Sequence, residues 1–338
     1  MQMKDILIVG AGGIGTRHVR CFLKTGRCAV SVCEPRTEQL EKIKGEYPVK
    51  SVFEDFDTID LRDFDGVVIC TPAHLHVPMA QRCAQETVNV LIEKPLSVNL
   101  DGVGQLKATV KENGVVAGVA YVLRHSKGVS ILKKKLQQGQ IGEVKMVTCV
   151  SGQDFRQFRP DYRQIYYAKK SMGGGCILDA LSHLVNLVEM FLGKEKQVCA
   201  MYDRLELTGV ECEDSAALIC RFQGGEIASF AMNQFQKPNE TLLQFIGTQG
   251  NLIWDSTGKQ VRFCNTSENI WQLERYEEER DQQFIAQANN FLDAIEGKCR
   301  IACTLEDGEQ TLRVSMAALE SGEKDKMAEM GDVPRASG

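Results

Sequence analysis

Ile6-Leu7-Ile8-Val9-Gly10-Ala11-Gly12-Gly13-Ile14-Gly15 is the stretch on which the fold turns. Four consecutive apolar residues read as a short strand buried on both faces. Glycines at 10, 12 and 15 then fit G-x-G-x-x-G, and the pattern opens a helical segment over 14–25. Strand, glycine loop and helix in that order form a phosphate-binding turn. Gly10 permits the tight turn, Gly12 lets backbone approach a pyrophosphate, and Gly15 allows close packing of the helix. Gly13 and Ile14 stand at the helix N-terminus, whose unpaired N–H groups and partial positive charge suit phosphates. Glu34 ends a second strand at about 28–33, about 20 residues beyond the glycines. A carboxylate there accepts hydrogen bonds from adenosine ribose hydroxyls and repels a 2′-phosphate, so the expected cofactor is NAD rather than NADP. Arg36 pulls the other way, because an arginine beside that acid pairs with a 2′-phosphate.

Outward from this stretch the alternation continues. Apolar runs at 66–70, 88–92 and 115–121 are interleaved with amphipathic segments at 37–45, 77–86 and 100–113. Short continuous apolar strands between helices predict a doubly wound parallel sheet covered on both faces. The pattern changes after Tyr121. A helix is expected at 127–138, then strands at 143–151, 197–208, 214–223, 226–234, 240–247 and 250–255. The in–out alternation from Ala216 to Phe222 suits a largely antiparallel sheet with one covered face, and Gln223-Gly224-Gly225-Glu226 suits a hairpin turn. Helices are expected at 173–192, 281–296 and 306–320. The fold class is α/β: an N-terminal Rossmann doubly wound parallel sheet plus a C-terminal α+β domain with a large, mostly antiparallel sheet. The expected domains are 1–122 for NAD binding and 123–322 for substrate binding and oligomerisation. Residues 323–338, polar and without periodicity, read as a tail.

Composition narrows the partners. A net charge of −5 argues against nucleic acid. No run approaches the ~18 apolar residues of a membrane span, and the sequence enters its first strand without a signal-peptide core, so a cytoplasmic protein is expected. The 13 cysteines are scattered without C-x-x-C spacing and mostly sit in apolar runs, which predicts buried, reduced thiols. The histidines do not cluster with them at ligand spacing, and no metal is expected.

Three further segments carry a resemblance: Thr71-Pro72-Ala73-His74-Leu75-His76 after the fourth strand, Glu93-Lys94-Pro95 after the fifth, and Gly173-Gly174-Gly175 followed by Asp179 and His183. In this order and spacing, over about 5–320, the chain resembles the glucose-fructose oxidoreductase / inositol dehydrogenase / rhizopine-catabolism (Gfo/Idh/MocA) family. The resemblance implies hydride exchange between NAD and a secondary hydroxyl of a sugar, polyol or sugar derivative. It implies Lys94 as hydrogen-bond donor to the reacting oxygen, His183 as general acid/base and Asp179 as the residue that tunes it. Thr71, Pro72, His76 and Glu93 would line the cofactor side, and Tyr121 and Arg124 the substrate side. The family often carries an acid where Asn186 stands, a difference that bears on substrate choice. His18 reads as a helix-surface or phosphate-side residue, and His74 as a loop residue.

Asp179, His183 and Asn186, at i, i+4 and i+7, form one polar helical stripe opposite Ile177, Leu181, Leu184, Val188 and Phe191. The preceding glycines would let backbone come close to a cofactor or substrate. Segment 153–167 is rich in arginine and aromatics. Arg156, Arg163 and Tyr166 would grip an acidic sugar or nucleotide-sugar; otherwise the segment is a structural loop or subunit contact. Two other functions remain open on the same fold: an NAD-recycling enzyme that cleaves or rearranges glycosides, and a non-catalytic NAD-sensing regulator. A homodimer or homotetramer is expected from the resemblance.

Overall fold

The computed structural model describes residues 3–266 and 269–331. It divides into two units, one holding the described chain to Val122 together with Glu279–Glu309, the other Leu123–Glu278 with the described residues from Gln310 to Gly331.

The first unit runs β1 (Lys4–Val9), α1 (Gly13–Lys24), β2 (Cys28–Cys33), α2 (Thr37–Glu46), β3 (Val52–Phe53), β4 (Gly66–Ile69), α3 (His76–Gln85), β5 (Asn89–Ile92), α4 (Val103–Asn113) and β6 (Ala117–Val119). The sheet order is β3-β2-β1-β4-β5-β6, and every pair is parallel. The order reverses between β1 and β4, the switch point at which such sheets open a crevice beyond the carboxyl ends of their strands. Alternate residues of β1 feed two cores. Leu7 and Val9 join Val67, Ile69, Val90 and Ile92 against Val77, Ala80, Val103 and Leu106 of α3 and α4. Ile6 and Ile8 join Val30, Val32 and Val68 against Val19 and Phe22 of α1. Each such side chain contributes about 1.5–3 kcal/mol by leaving water, which is why these short runs hold as strands without local propensity beyond β-branching.

Helix Gln282–Ile295 differs from its expected place in the second domain and belongs to the first unit. Its Ala288, Phe291 and Leu292 enter the Ile6–Ile8 core. A Cβ on Gly66 would lie 2.9 Å from the Phe291 ring, so β4 begins with glycine where that ring presses on it. Arg20 pairs with Asp281 at 2.7 Å, and Arg27 with Asp293 at 2.7 Å. The strand β3, at the sheet edge, is two residues long and carries no sequence signal of its own.

The second unit holds α5 (Lys127–Gln137) and strands β7 (Val144–Asp154), β8 (Glu195–Asp203), β9 (Ser215–Phe222), β10 (Ile227–Asn233), β11 (Phe235–Gly247), β12 (Gly250–Asp255), β13 (Gln260–Asn265), β14 (Gln272–Arg275) and β15 (Ala328–Glu329). Their order is β14-β13-β12-β11-β7-β10-β9-β8-β15. Only β7 and β10 run parallel. In β9 Ala216, Leu218, Cys220 and Phe222 are buried while Ala217, Ile219 and Arg221 are exposed, the one-face burial that alternation predicts. The turn into β10 sets Gly225 at φ +99°, which a side chain rarely adopts. Strands β13–β15 were not expected. The reading of 323–338 as a tail gives way at its start: Ala328 and Glu329 pair with Val198 and Gln197 of β8, and 332–338 lie outside the described residues.

Lys170–Leu192, 23 residues, is long and apolar enough to cross a membrane by length and composition, contrary to the expected absence of such a run; 67% of its apolar window is buried inside the protein. Eleven cysteines are buried, and Cys199 and Cys299 are exposed.

Candidate functional site

The glycine loop follows β1 at the switch point. Gly10 has φ +88°, and a Cβ there would lie 2.8 Å from the Cys70 carbonyl oxygen. A Cβ on Gly15 would fall 1.8 Å from the Gly10 carbonyl oxygen, so the close approach that needs Gly15 is helix to loop. Around Gly12 and Gly13 a Cβ would meet nothing within 4 Å, and Gly13 is exposed. That open ground is where a pyrophosphate fits. The first turn of α1 contains no acidic residue to neutralise its positive end. Ile14 is half-buried against the core on the same turn.

Glu34 follows β2 and is buried. Its Oε2 accepts from the Ala11 amide at 2.8 Å, and its Oε1 from Arg36 Nε at 2.6 Å and the Arg36 amide at 3.2 Å. Burial pushes this carboxyl up, but the Arg36 side chain and the two amides outweigh it and hold Glu34 below its ordinary value. An ionised acid thus stands at the end of the second strand, with the Arg36 guanidinium spent on it. Open glycines, a bare helix N-terminus and this acid fit NAD.

The loops after β4 and β5 are tied together. His76 is buried, with Nδ1 2.9 Å from the Pro95 carbonyl oxygen and Nε2 2.8 Å from that of Thr71. Burial lowers its pKa against the pull of those carbonyls. Expected to face the cofactor, His76 has its ring set between the Thr71 and Pro95 carbonyls; neutral, it carries one N–H and donates to one of them. Lys94 is half-buried at the end of β5, and its peptide bond to Pro95 is cis. Glu93 has both oxygens engaged: Oε1 lies 2.7 Å from His18 Nε2, and Oε2 accepts from the Lys94 amide at 3.0 Å. His18 is therefore not a surface residue; it has no exposed area. The sequence held the signal, since 18 lies on the stripe of Gly15, Val19 and Phe22 that α1 turns to the sheet. Tyr121 is buried in the core on the other face.

In the second unit the expected helix 173–192 is not regular. Ile177–Leu181 form a π-helical turn, with the Leu181 amide bonding the Cys176 carbonyl at 2.8 Å, and a regular helix follows over Ser182–Leu192. π turns are rare and recur at functional sites. The polar stripe divides accordingly. Asp179 is buried and its Oδ1 accepts from the Tyr166 hydroxyl at 3.0 Å. His183 is half-buried. Asn186 is enclosed, its Oδ1 accepting from Arg124 Nε at 2.7 Å and its Nδ2 donating to Thr311 Oγ1 at 2.9 Å. Gly174 and Gly175 serve packing rather than ligand approach: a Cβ would lie 2.3 Å from the Tyr167 carbonyl oxygen and from Glu213 Oε1, respectively.

Tyr166 reaches Asp179, but the two arginines expected beside it as substrate ligands go elsewhere. Arg156 pairs with Asp154 at 3.1 Å and Glu206 at 2.7 Å. Arg163 donates to the Thr208 carbonyl and hydroxyl, both at 2.9 Å, and lies over the Tyr162 ring. Phe155, Tyr162 and Tyr167 form a small core with Leu207 and Val210. Segment 153–167 is thus held to the loop 204–214, Arg156 by ion pairs and Arg163 by hydrogen bonds to Thr208. Among the described residues, no cluster of three His, Cys, Asp or Glu side chains is arranged to hold a metal.

A parallel sheet with an open glycine loop at its switch point, followed by a large antiparallel unit, defines an NAD-dependent oxidoreductase. Residues 4–121 match the family model described as oxidoreductase family, NAD-binding Rossmann fold, and 129–253 match the GFO/IDH/MocA C-terminal domain; the chain belongs to the Gfo/Idh/MocA family. It is 22% identical over 341 residues to the myo-inositol 2-dehydrogenase of Thermotoga maritima, covering 96% of this chain and 98% of that one. It is 25% identical over 336 residues to the 1,5-anhydro-D-fructose reductase of Ensifer adhaerens, covering 96% and 97%. A levoglucosan dehydrogenase solved with NADH and levoglucosan shares the fold with a TM-score of 0.90 at 19% identity, over 98% of this chain and 100% of that one.

Proposed function

We infer that the protein oxidises a secondary hydroxyl of an uncharged sugar or polyol, reversibly, with NAD. One observation carries the choice of an uncharged substrate: Arg156 and Arg163, the forks that would read a carboxylate or phosphate, are paired with Asp154, Glu206 and Thr208. The names of the relatives, an inositol dehydrogenase and an anhydrofructose reductase, agree with it.

NAD, when bound, supplies the two-electron acceptor. The chain must place the substrate carbon, keep water out and take the hydroxyl proton. The Lys94 ammonium donates a hydrogen bond to the reacting oxygen and stabilises the charge that grows on it. The His183 imidazole accepts the proton on oxidation and returns it on reduction. Asp179, fixed by Tyr166, orients and tunes that histidine.

The test is absorbance at 340 nm with NAD against a panel of inositols, neutral sugars, uronic acids and nucleotide-sugars. Net NADH from a neutral polyol or sugar supports the reading; turnover confined to acidic or nucleotide-linked sugars refutes it. NAD binding without net NADH, with glycoside products by mass spectrometry, assigns internal redox cycling instead. Lys94→Ala should lower kcat by roughly a hundredfold or more while NADH still binds.

A homo-oligomer belongs to the same reading. Met201, Ile219 and Val150 are exposed on strands β8, β9 and β7, an apolar row on one sheet face. Light scattering that returned a monomer mass at micromolar concentration would refute it.

A further inference from the structure

Beside the nucleotide loop the first unit encloses a charge that stability alone does not require. Glu93 is 5% exposed, and its carboxyl is nonetheless held below its ordinary value, since the hydrogen bond to His18 and the nearby Lys94 outweigh burial. The titratable groups around it are His18 from α1, Lys94 from its own loop, and Cys70 and His76 from the β4 loop and α3. A well-packed apolar pair at 18 and 93 would be as stable or more so, because burying two polar partners costs about what their attraction returns.

The pair delivers position instead. His18 sits with its ring 5.9 Å from Phe284 at 78° and 6.1 Å from Phe22 at 41°, so packing fixes its orientation. Its Nδ1 has no hydrogen-bond partner among the described residues. That suits the tautomer with the proton on Nε2: the ring donates to Glu93 Oε1, and no buried N–H is left unpaired. The other carboxylate oxygen takes the Lys94 amide. A rigid helix thus grips one oxygen, and the backbone of the residue assigned to the chemistry hangs from the other. We propose that His18 is a positioning residue, acting through Glu93 to set where the backbone of Lys94, and therefore its side chain, stands. The functional weight of this rests on Lys94 as the donor to the reacting oxygen. His76 stands at the other end of the same loop, its Nδ1 2.9 Å from the Pro95 carbonyl oxygen.

Two variants separate position from packing. His18→Phe keeps a ring against Phe284 but removes the donor; His18→Gln keeps a donor of similar reach. Amide hydrogen exchange is read by mass spectrometry on full-length protein, over a peptide spanning Leu91–Leu96. Saturable NADH fluorescence certifies the folded unit in each variant. Exchange at Lys94 should quicken roughly ten- to hundredfold in His18→Phe, the worth of one hydrogen bond to a charged group. His18→Gln should restore it to within about threefold of wild type. Unchanged exchange in His18→Phe overturns the proposal, as does a His18→Gln no better than His18→Phe. If His18→Phe does not fold, His18→Leu asks the same question with a smaller apolar side chain: it too removes the donor to Glu93 Oε1, so Lys94 protection must drop, and wild-type protection refutes the idea. The two readings fail separately: full turnover by Lys94→Ala would defeat the role of Lys94, while the exchange result judges His18.

Discussion

Glu34→Ala probes how the first unit chooses its cofactor. The carboxylate accepts from the Ala11 amide at 2.8 Å, from Arg36 Nε at 2.6 Å, from the Arg36 amide at 3.2 Å and from a terminal Arg36 nitrogen at 3.2 Å. Replacing it with a methyl group has two effects on ligands. NAD loses an ionised acceptor for its ribose hydroxyls, worth about 1.5–3 kcal/mol for a charged hydrogen bond, or roughly ten- to hundredfold in Kd. NADP loses a repulsion. Two unit charges about 4 Å apart cost about 4 kcal/mol at an effective dielectric of roughly 20, and solvent at the open glycine loop cuts that to about 1–3 kcal/mol. Arg36 also becomes available, since its side chain is 64% exposed and its guanidinium hydrogen-bonds Glu34. Together the NADH-to-NADPH affinity ratio should fall by roughly two to four orders of magnitude. Nicotinamide fluorescence titrations of both cofactors measure it. Thermal unfolding should show about 1 kcal/mol of lost stability from the orphaned Ala11 amide. An affinity ratio that moves less than about threefold in a folded variant would refute the assignment of Glu34 as the ribose acid.

Gly15→Ala and Gly12→Ala should part company: the first puts a Cβ 1.8 Å from the Gly10 carbonyl and should unfold the loop, the second meets nothing and should keep the melting temperature while weakening NADH binding. Circular dichroism melts beside NADH titrations decide it, and equal melting temperatures would contradict the geometry. Burial pushes Glu195 up to about 7 and raises its partner Glu189 as well, with repulsion from Glu195 adding to the second. Both values are raised on folding, so this contribution to stability is full below about 4.5 and is lost as pH rises to about 7. Glu195→Gln should therefore match wild type near pH 5 and exceed it by about 2–3 kcal/mol at pH 8 in denaturant titrations; an unaltered pH slope would show that the pair takes up no proton on folding.

Where each residue's burial follows from local period, the sequence could be read. The runs 6–9 and 66–69 are apolar throughout because both faces of that sheet are covered, and β9 alternates because one face of its sheet is open. The shape of the glycine loop and the place of Glu34 at a strand end were legible for the same reason, since both follow from local backbone geometry. What escaped depends on long-range pairing. Helix Gln282–Ile295 looks alike whichever unit it covers, and only the Phe291 ring against Gly66 decides. Arg156 and Arg163 read as ligand forks because their partners, Glu206 and Thr208, lie 50 and 45 residues away. The π turn at 177–181 has no periodicity signal, and without it Asp179 and Asn186 appear to share one face.

Asn186 shows how such pairing alters a functional reading. As a substitute for an acid it looked like a substrate-selecting change. In the structure it links Arg124 to a buried chain: Arg124 Nε donates to Asn186 Oδ1, Asn186 Nδ2 to Thr311 Oγ1, and the Thr311 hydroxyl to Glu189 Oε2, beside Glu195. The direction of donation runs one way along this chain. Thr311 gives its single proton to Glu189 and accepts one from the Asn186 amide, which an ionised carboxylate at 186 could not supply. An ionised acid there would also put a charge into a pocket where burial already raises the pKa values of two carboxyls. An amide alone supplies the acceptor that orients Arg124 and the donor that completes Thr311. Asn186 is thus held between Arg124 and Thr311 within this unit, and an acid in its place would lose the donor to Thr311.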